Sequence, residues 1–128
     1  YRSYDTQTQT YSGQIAQYGQ AQGDALSARP GHSEHQTGLA ADVVSCAGGC
    51  GSIDSFGGTD AGAWVAQNGW QYGFIVRYVA GQSAVTGYDS EPWHLRYVGV
   101  PLAAAYHDGG FSTLEQFFGL PAAPAYPG

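Results

Sequence analysis

Phe74-Ile75-Val76-Arg77-Tyr78 is the most strand-like stretch of the chain, with two β-branched residues between aromatic ends and Gly73 just upstream. A weaker strand signal follows at Ala84-Val85-Thr86, and another runs from Trp93 to Val98. Short gaps between these three predict an antiparallel sheet, since parallel neighbours need a long crossover. Upstream, Leu39 to Ser45 is short, β-branched towards its end and bounded by Gly38 and a cysteine loop, which suits a further strand with Asp42 in its interior. Helical spacing surrounds these segments. Tyr11, Ile15 and Tyr18 recur on one face of a Gln-rich stretch with Asp5 available as a cap, predicting a helix near residues 5–21. Ala61, Trp64 and Val65 mark a second, stopped by Asn68-Gly69. Pro101 opens a third through Tyr106, and Ser112 with Glu115 gives a capping-box pattern before Phe117-Phe118. The expected fold is α+β: a small antiparallel β-sheet with helices packed around it.

The 128 residues fit one domain, taken as residues 1–120, followed by a Pro/Ala-rich tail, 121–128, expected to be extended or disordered. Tyr1-Arg2-Ser3-Tyr4 reads as the interior of a motif, so the domain is expected to lack an N-terminal segment. Charged residues make up 11% of the chain, the four basic side chains are all arginines, and the formal net charge is -6. Phosphate backbones need a basic patch that this composition does not supply, which excludes a nucleic-acid partner and disfavours an anionic membrane surface. No stretch approaches the roughly 18 apolar residues of a membrane span. Cys46 and Cys50 flank Ala-Gly-Gly, a loop able to close a disulfide that loop entropy values at about 2 kcal/mol. Such a bond would place the chain in an oxidising compartment. A pair of zinc thiolates is the alternative, without a second cysteine pair to complete it; two reduced cysteines in a turn is the other.

Two segments carry chemistry: Ser33-Glu34-His35-Gln36-Thr37-Gly38-Leu39-Ala40-Ala41-Asp42 and Glu91-Pro92-Trp93-His94. Together they offer two imidazoles and a carboxylate able to bind zinc, with a further carboxylate beside the second imidazole. Three protein ligands and an open position are the pattern of a catalytic zinc site. In an unbroken strand, positions seven apart face opposite sides, so Gly38 must turn the chain if His35 and Asp42 are to share a metal. Pro92 rules out a regular helix interior between Glu91 and His94 and leaves a bent, extended segment.

The pattern Ser-x-His-x-x-Gly-x-Ala-x-Asp, followed about fifty residues later by Glu-x-Trp-His, resembles that of the VanY-type zinc D-alanyl-D-alanine carboxypeptidases, within the lysostaphin and hedgehog-like metallopeptidase group. The similarity extends to Tyr1-Arg2-Ser3-Tyr4 with Gln7, Tyr72-Gly73-Phe74 with Arg77-Tyr78, Thr86-Gly87-Tyr88, Arg96-Tyr97-Val98-Gly99 and Thr113-Leu114-Glu115. It covers Tyr1 to about Leu120; the Cys46 to Cys50 insert has no counterpart in the family pattern. The resemblance implies a hedgehog/D,D-peptidase-like fold and one Zn2+ held by His35, Asp42 and His94, with Glu91 as catalytic base. It implies substrate binding by Arg2, Gln7, Ser33 and Tyr78. Arg2 suits a terminal carboxylate, which a guanidinium grips with paired hydrogen bonds, or could steady an oxyanion. The implied partners are peptidoglycan stem peptides, and the implied location is extracytoplasmic in a bacterium. Two further readings stay open: an L,D-carboxypeptidase or L-alanyl-D-glutamate endopeptidase of the same group, and a non-catalytic zinc-containing cell-wall binding domain. Retention of Glu91 argues against the last.

Overall fold

A computed structural model describes residues 1–126. The chain opens with a helical hairpin of α1 (Tyr4–Tyr18) and α2 (Gln20–Leu26). Sequence spacing predicted one helix to residue 21, but Gly19 adopts φ 78°, a conformation that ends α1 and starts α2. The two helices then fold together closely: a Cβ on Gly23 would lie 2.5 Å from Ile15 Cδ1. The cap of α1 is Ser3, whose hydroxyl accepts from the Thr6 N–H at 3.1 Å, and not Asp5, which falls inside the first turn.

A 3-10 turn, Glu34–Thr37, leads into strand β1 (Ala40–Asp42). After a second 3-10 turn (Ile53–Gly58) come α3 (Asp60–Asn68), a third 3-10 turn (Gly69–Tyr72) and strand β2 (Phe74–Tyr78). Then follow α4 (Ser83–Thr86), strand β3 (Glu91–Tyr97), α5 (Val100–Asp108) and α6 (Leu114–Phe118). The sheet order is β1-β3-β2, antiparallel throughout. The expected sheet was right in kind and wrong in one member. Ala84-Val85-Thr86 forms a single helical turn closed by the Gly87 N–H to the Ser83 carbonyl, with Gly87 in the left-handed region, so its β-branched residues cap a turn instead of pairing. The third place belongs to β1, which is shorter than the expected 39–45; past Asp42 the Val43 N–H reaches the Trp93 carbonyl before the chain departs.

Register decides which side chains meet, because residues directly opposite in an antiparallel pair share a face. Asp42 faces His94, Ala40 faces Arg96, and Ile75 faces Arg96 across the other ladder. Ile75, Ala103 and Tyr106 form the buried cluster that holds α5 to the sheet, with Trp70, Val98, Leu114 and Phe117 packed against it. The ladder between β2 and β3 is irregular between Val76 and Tyr78, opposite the start of β3 where Pro92 cannot donate.

Three peripheral expectations have outcomes here. The disulfide between Cys46 and Cys50 is formed. The capping box at α6 is displaced by one residue: Thr113, 0% exposed, accepts from the Gln116 N–H, and the Ser112 N–H donates to Gln116 Oε1, which frees Glu115 for another partner. The tail to residue 126 has no helix or strand but is tied down. The Ala123 N–H donates to the Val85 carbonyl, and the Tyr126 hydroxyl accepts from the Arg29 N–H under a guanidinium 4.3 Å from its ring. Residues 127 and 128 of the expected tail lie outside the described residues. Among the described residues, no helix is long and apolar enough to cross a membrane.

Candidate active site

His35 lies in the 3-10 turn Glu34–Thr37, which Gly38 ends at φ 73° with its N–H on the His35 carbonyl. That left-handed residue is the reversal needed to bring His35 over the face of β1 that carries Asp42. The Arg2 N–H also donates to the His35 carbonyl at 3.0 Å, tying the N-terminal segment to the same turn. His35 Nε2 stands 3.2 Å from Asp42 Oδ2, and His94 Nδ1 stands 3.3 Å from Asp42 Oδ1. One ligand atom from each of the three residues lies within 4.8 Å of the others. Ligand atoms 2.0–2.1 Å from a tetrahedral zinc would be roughly 3.3–3.4 Å apart. The spacings to the two Asp42 oxygens are close to that edge, and two imidazoles with one carboxylate form a donor set zinc accepts. The residues present therefore fit the ion.

Glu91 adjoins this cluster at the start of β3, its Oε2 3.4 Å from His94 Nδ1. Burial, with the nearby charge of Asp42, pushes its carboxyl up to about 7 against the opposing pull of His94. The same environment holds Asp42 the other way. Burial would raise its carboxyl, but hydrogen bonds from His35 and His94 keep it well below the usual carboxylate range. Burial opposes charge on His94 as well, yet hydrogen bonding to Asp42 and Glu34 and the charge of Glu91 lift it to about 9. A pocket that holds an imidazole in its cationic form favours positive charge at its centre.

Of the four expected substrate contacts, Arg2, Ser33 and Tyr78 line one cleft of about 470 Å³ together with His35, Asp42, Glu91 and His94. Tyr78 sets its ring 5.0 Å from that of His94 and 4.8 Å from that of Tyr88, and burial pushes its phenol far up. Arg2 reaches to 3.6 Å from Asp42 Oδ2. Gln7 lies behind it, 0% exposed. Its Oε1 accepts from Arg2 at 3.0 Å, and its Nε2 donates to Ser27 Oγ and the Ala28 carbonyl. Direct contact between Gln7 and a ligand would require breaking those bonds, so its influence on the cleft runs through Arg2. His32 and His107 are outside the cluster, one beside Tyr126 and the other stacked on Trp70.

Away from the cluster the cleft continues between Thr10, Gln14 and Tyr18 of α1 and Ile53 and Asp54 of the second 3-10 turn. Neither wall was anticipated. Glu34 was also missed: its Oε2 is 3.3 Å from His94 Nε2, while its Oε1 accepts from Arg77 and pairs with Arg96. Burial opposes its charge, but these partners hold its carboxyl at about 2. Its sequence signal was an acid immediately before an expected ligand, in a chain with 10 acids.

The model of the VanY family, D-alanyl-D-alanine carboxypeptidase, matches residues 1–100. YodJ from Bacillus subtilis (strain 168) is 43% identical over 118 residues, spanning 92% of this chain and 43% of that protein. Among solved structures, the LdcB LD-carboxypeptidase superposes with a TM-score of 0.82 at 43% identity, over 93% of this chain and 55% of that one. A D,D-pentapeptidase VanY variant from a VanB-type vancomycin-resistance cassette, in complex with Zn(II), superposes with a TM-score of 0.78 at 32% identity, over 92% and 67%. The chain thus spans less than half of YodJ and about half of the LdcB structure. With the family's pattern matched over residues 1–100 and its fold reproduced around the same two segments, the chain belongs to the VanY family of D-alanyl-D-alanine carboxypeptidases.

Proposed function

We propose that this chain is the catalytic part of a zinc-dependent carboxypeptidase that hydrolyses the terminal D-Ala-D-Ala bond of peptidoglycan stem peptides outside the cytoplasm. The observation that carries the reading is the convergence of His35, Asp42 and His94 in one cleft, with Glu91 3.4 Å from His94 and Arg2 3.6 Å from Asp42. His35, Asp42 and His94 would hold the ion. Bound there, zinc would polarise the scissile carbonyl and ease ionisation of an attacking water. Glu91 takes the proton that the water loses and returns it to the leaving amine as the C–N bond breaks. Arg2, braced by Gln7, pairs with the substrate's free terminal carboxylate through its planar fork. A cleft that continues along α1 supports a peptide over a small solute: Thr10 to Tyr18 covers about 12 Å at 1.5 Å per residue, room for three or four extended residues. Gln14, on that wall, keeps its Oε1 buried without a hydrogen-bond partner among the described residues. The disulfide supports an oxidising location.

A second reading, L,D-carboxypeptidase activity on the shorter stem, is favoured by the higher identity to the LdcB structure, 43% against 32% for the VanY variant. Incubating the zinc-loaded protein with penta- and tetrapeptide stems and weighing the products separates the two. Release of D-Ala from the pentapeptide supports the D,D assignment, and release from the tetrapeptide alone supports the L,D one. A cut at the L-alanyl-D-glutamate bond would make it an endopeptidase. No cleavage of any stem by a protein with a full complement of zinc would sink the proposal.

A further inference from the structure

Glu34 makes contacts that neither substrate recognition nor proton transfer requires. Its Oε1 accepts from Arg77 Nε at 2.9 Å and lies 3.2 Å from an Arg96 guanidinium nitrogen, while its Oε2 is 3.3 Å from His94 Nε2. Arg77 is held in turn by Glu115 of α6 through two hydrogen bonds, at 2.6 and 3.1 Å. All four of these side chains are shielded: Glu34 is 15% exposed, Arg77 10%, Arg96 22% and Glu115 13%. Two guanidiniums that never lose their protons occupy Oε1, which leaves Oε2 to accept only from the imidazole.

The consequence falls on His94. A neutral imidazole has one donor nitrogen and one lone-pair nitrogen, and the carboxylate it faces decides which is which. Nε2 faces the acceptor Glu34 while Nδ1 faces Asp42 and Glu91; an ion held between those groups would take the Nδ1 lone pair, leaving the one proton of the neutral ring on Nε2 for Glu34 to accept. Local geometry makes this economical. Adjacent residues of a 3-10 turn project about 120° apart, so the turn Glu34–Thr37 supplies one ligand, His35, and the partner of another, His94.

We propose that Glu34 is a positioning residue: it fixes the tautomer and ring orientation of His94 with Nδ1 towards the metal, and Arg77 and Arg96 keep it in place. The assignment rests on the reading of His35, Asp42 and His94 as zinc ligands. Partners of this kind that hydrogen-bond a metal-ligating histidine typically contribute ten- to a hundredfold in metal affinity.

The test measures zinc affinity by competition with a chromophoric chelator, and the His94 tautomer by long-range 15N–1H correlation spectra of the zinc-bound protein. Wild-type His94 should carry its proton on Nε2 with Nδ1 on the metal. Glu34→Gln should weaken zinc binding by roughly ten- to a hundredfold and shift the His94 nitrogen signals. Glu115→Gln, which loosens Arg77 from α6 but leaves Glu34 against His94, should lower thermal stability with zinc affinity unchanged. Equal zinc affinity and the same His94 signals in wild type and Glu34→Gln would overturn the assignment, leaving Glu34 an ion-pair residue only. If Glu34→Gln fails to fold, the wild-type spectrum decides, since a metal on Nε2 of His94 also overturns it. A wild-type protein that takes up no zinc refutes the metal-site reading itself, and this assignment with it.

Discussion

Replacing Glu91 by glutamine separates an enzyme from a metal-holding relative. The substitution keeps the length and shape of a side chain that is 17% exposed and packed 3.4 Å from His94, and it leaves His35, Asp42 and His94 untouched. What it removes is the proton acceptor. General-base assistance is worth about a hundred- to ten-thousandfold, or about 2.7–5.5 kcal/mol of activation free energy. The proposed role uses the carboxylate twice, first to take the proton of the attacking water and then to return it to the departing amine. A loss near the upper end, about ten-thousandfold in kcat, is therefore expected. Zinc analysis of the purified variant should still give near one ion per chain, and release of D-Ala from a stem pentapeptide, followed by mass, gives the rate. Loss of zinc would make Glu91 a ligand and displace one of the three assigned residues. Near-native turnover with zinc retained would place the base elsewhere and refute the mechanism.

Zinc content should drop sharply in His35→Ala and in His94→Ala, with the fold largely retained because the Ile75, Ala103 and Tyr106 cluster does not depend on metal; full zinc in both variants would defeat the ligand assignment. Arg2→Lys keeps a charge but loses the fork, so kcat/KM should fall by an order of magnitude or more at unchanged zinc content. A C-terminally amidated stem should also be a poor substrate, and equal hydrolysis of amide and acid would redirect the reading to an endopeptidase. Glu115→Gln weakens a shielded pair whose arginine keeps Glu34 as a partner, and should cost about 1.5–3 kcal/mol in urea unfolding at pH 7. Burial opposes the charge on Glu115, but Arg77 prevails and holds its carboxyl below the ordinary value. The stabilisation is therefore present above the unfolded value of about 4.3 and lost as pH falls through the lower folded one. The gap between variant and wild type should narrow at pH 3, and an equal gap at both pH values would count against the pairing.

The convergence of His35, Asp42, His94 and Glu91 was legible in the sequence because they occupy two short segments whose punctuation has one mechanical meaning. Gly38 could only be a reversal, and Pro92 could only bend an extended segment; both roles are observed. The helix break at Gly19 was not legible, since a single glycine in a polar helix is tolerated and only the packing of Gly23 on Ile15 makes the turn worthwhile. The reading of Ala84-Val85-Thr86 failed because β-branched residues signal strands only where a neighbour pairs with them, and here Gly87 closes the segment as a turn. Gln7 was expected to contact substrate while its burial was invisible, because polarity suggests exposure until partners such as Ser27 and Ala28 are known. Glu34 escaped for a related reason: its partners Arg77 and Arg96 are 43 and 62 positions away in a chain whose folding alone brings them together.

In the proposed mechanism, the division of labour within the cleft explains why the cluster of His35, Asp42 and His94 says little about which bond is cut. Asp42 and His94 are directly opposed across the β1 and β3 ladder, so their spacing is set by sheet register, and a one-residue slip of either strand would turn its residue away from the other. His35 is fixed by a turn that Gly38 ends and the Arg2 amide clamps. These constraints are local and rigid, and they concern a water, a carbonyl and an amine that D,D and L,D bonds have in common. Under the proposed function, the stereochemistry of the residue before the scissile bond would be met farther along, where α1 offers Thr10, Gln14 and Tyr18 and the opposite wall offers Ile53 and Asp54. That opposite wall follows the Cys46 to Cys50 loop, which is pinned at its base by the Gly51 N–H on the Ser45 carbonyl. Sequence change there can reshape substrate choice without disturbing register, whereas change in β1 or β3 cannot. Discrimination between the two bond types should therefore be sought in these two walls, with the metal ligands held constant.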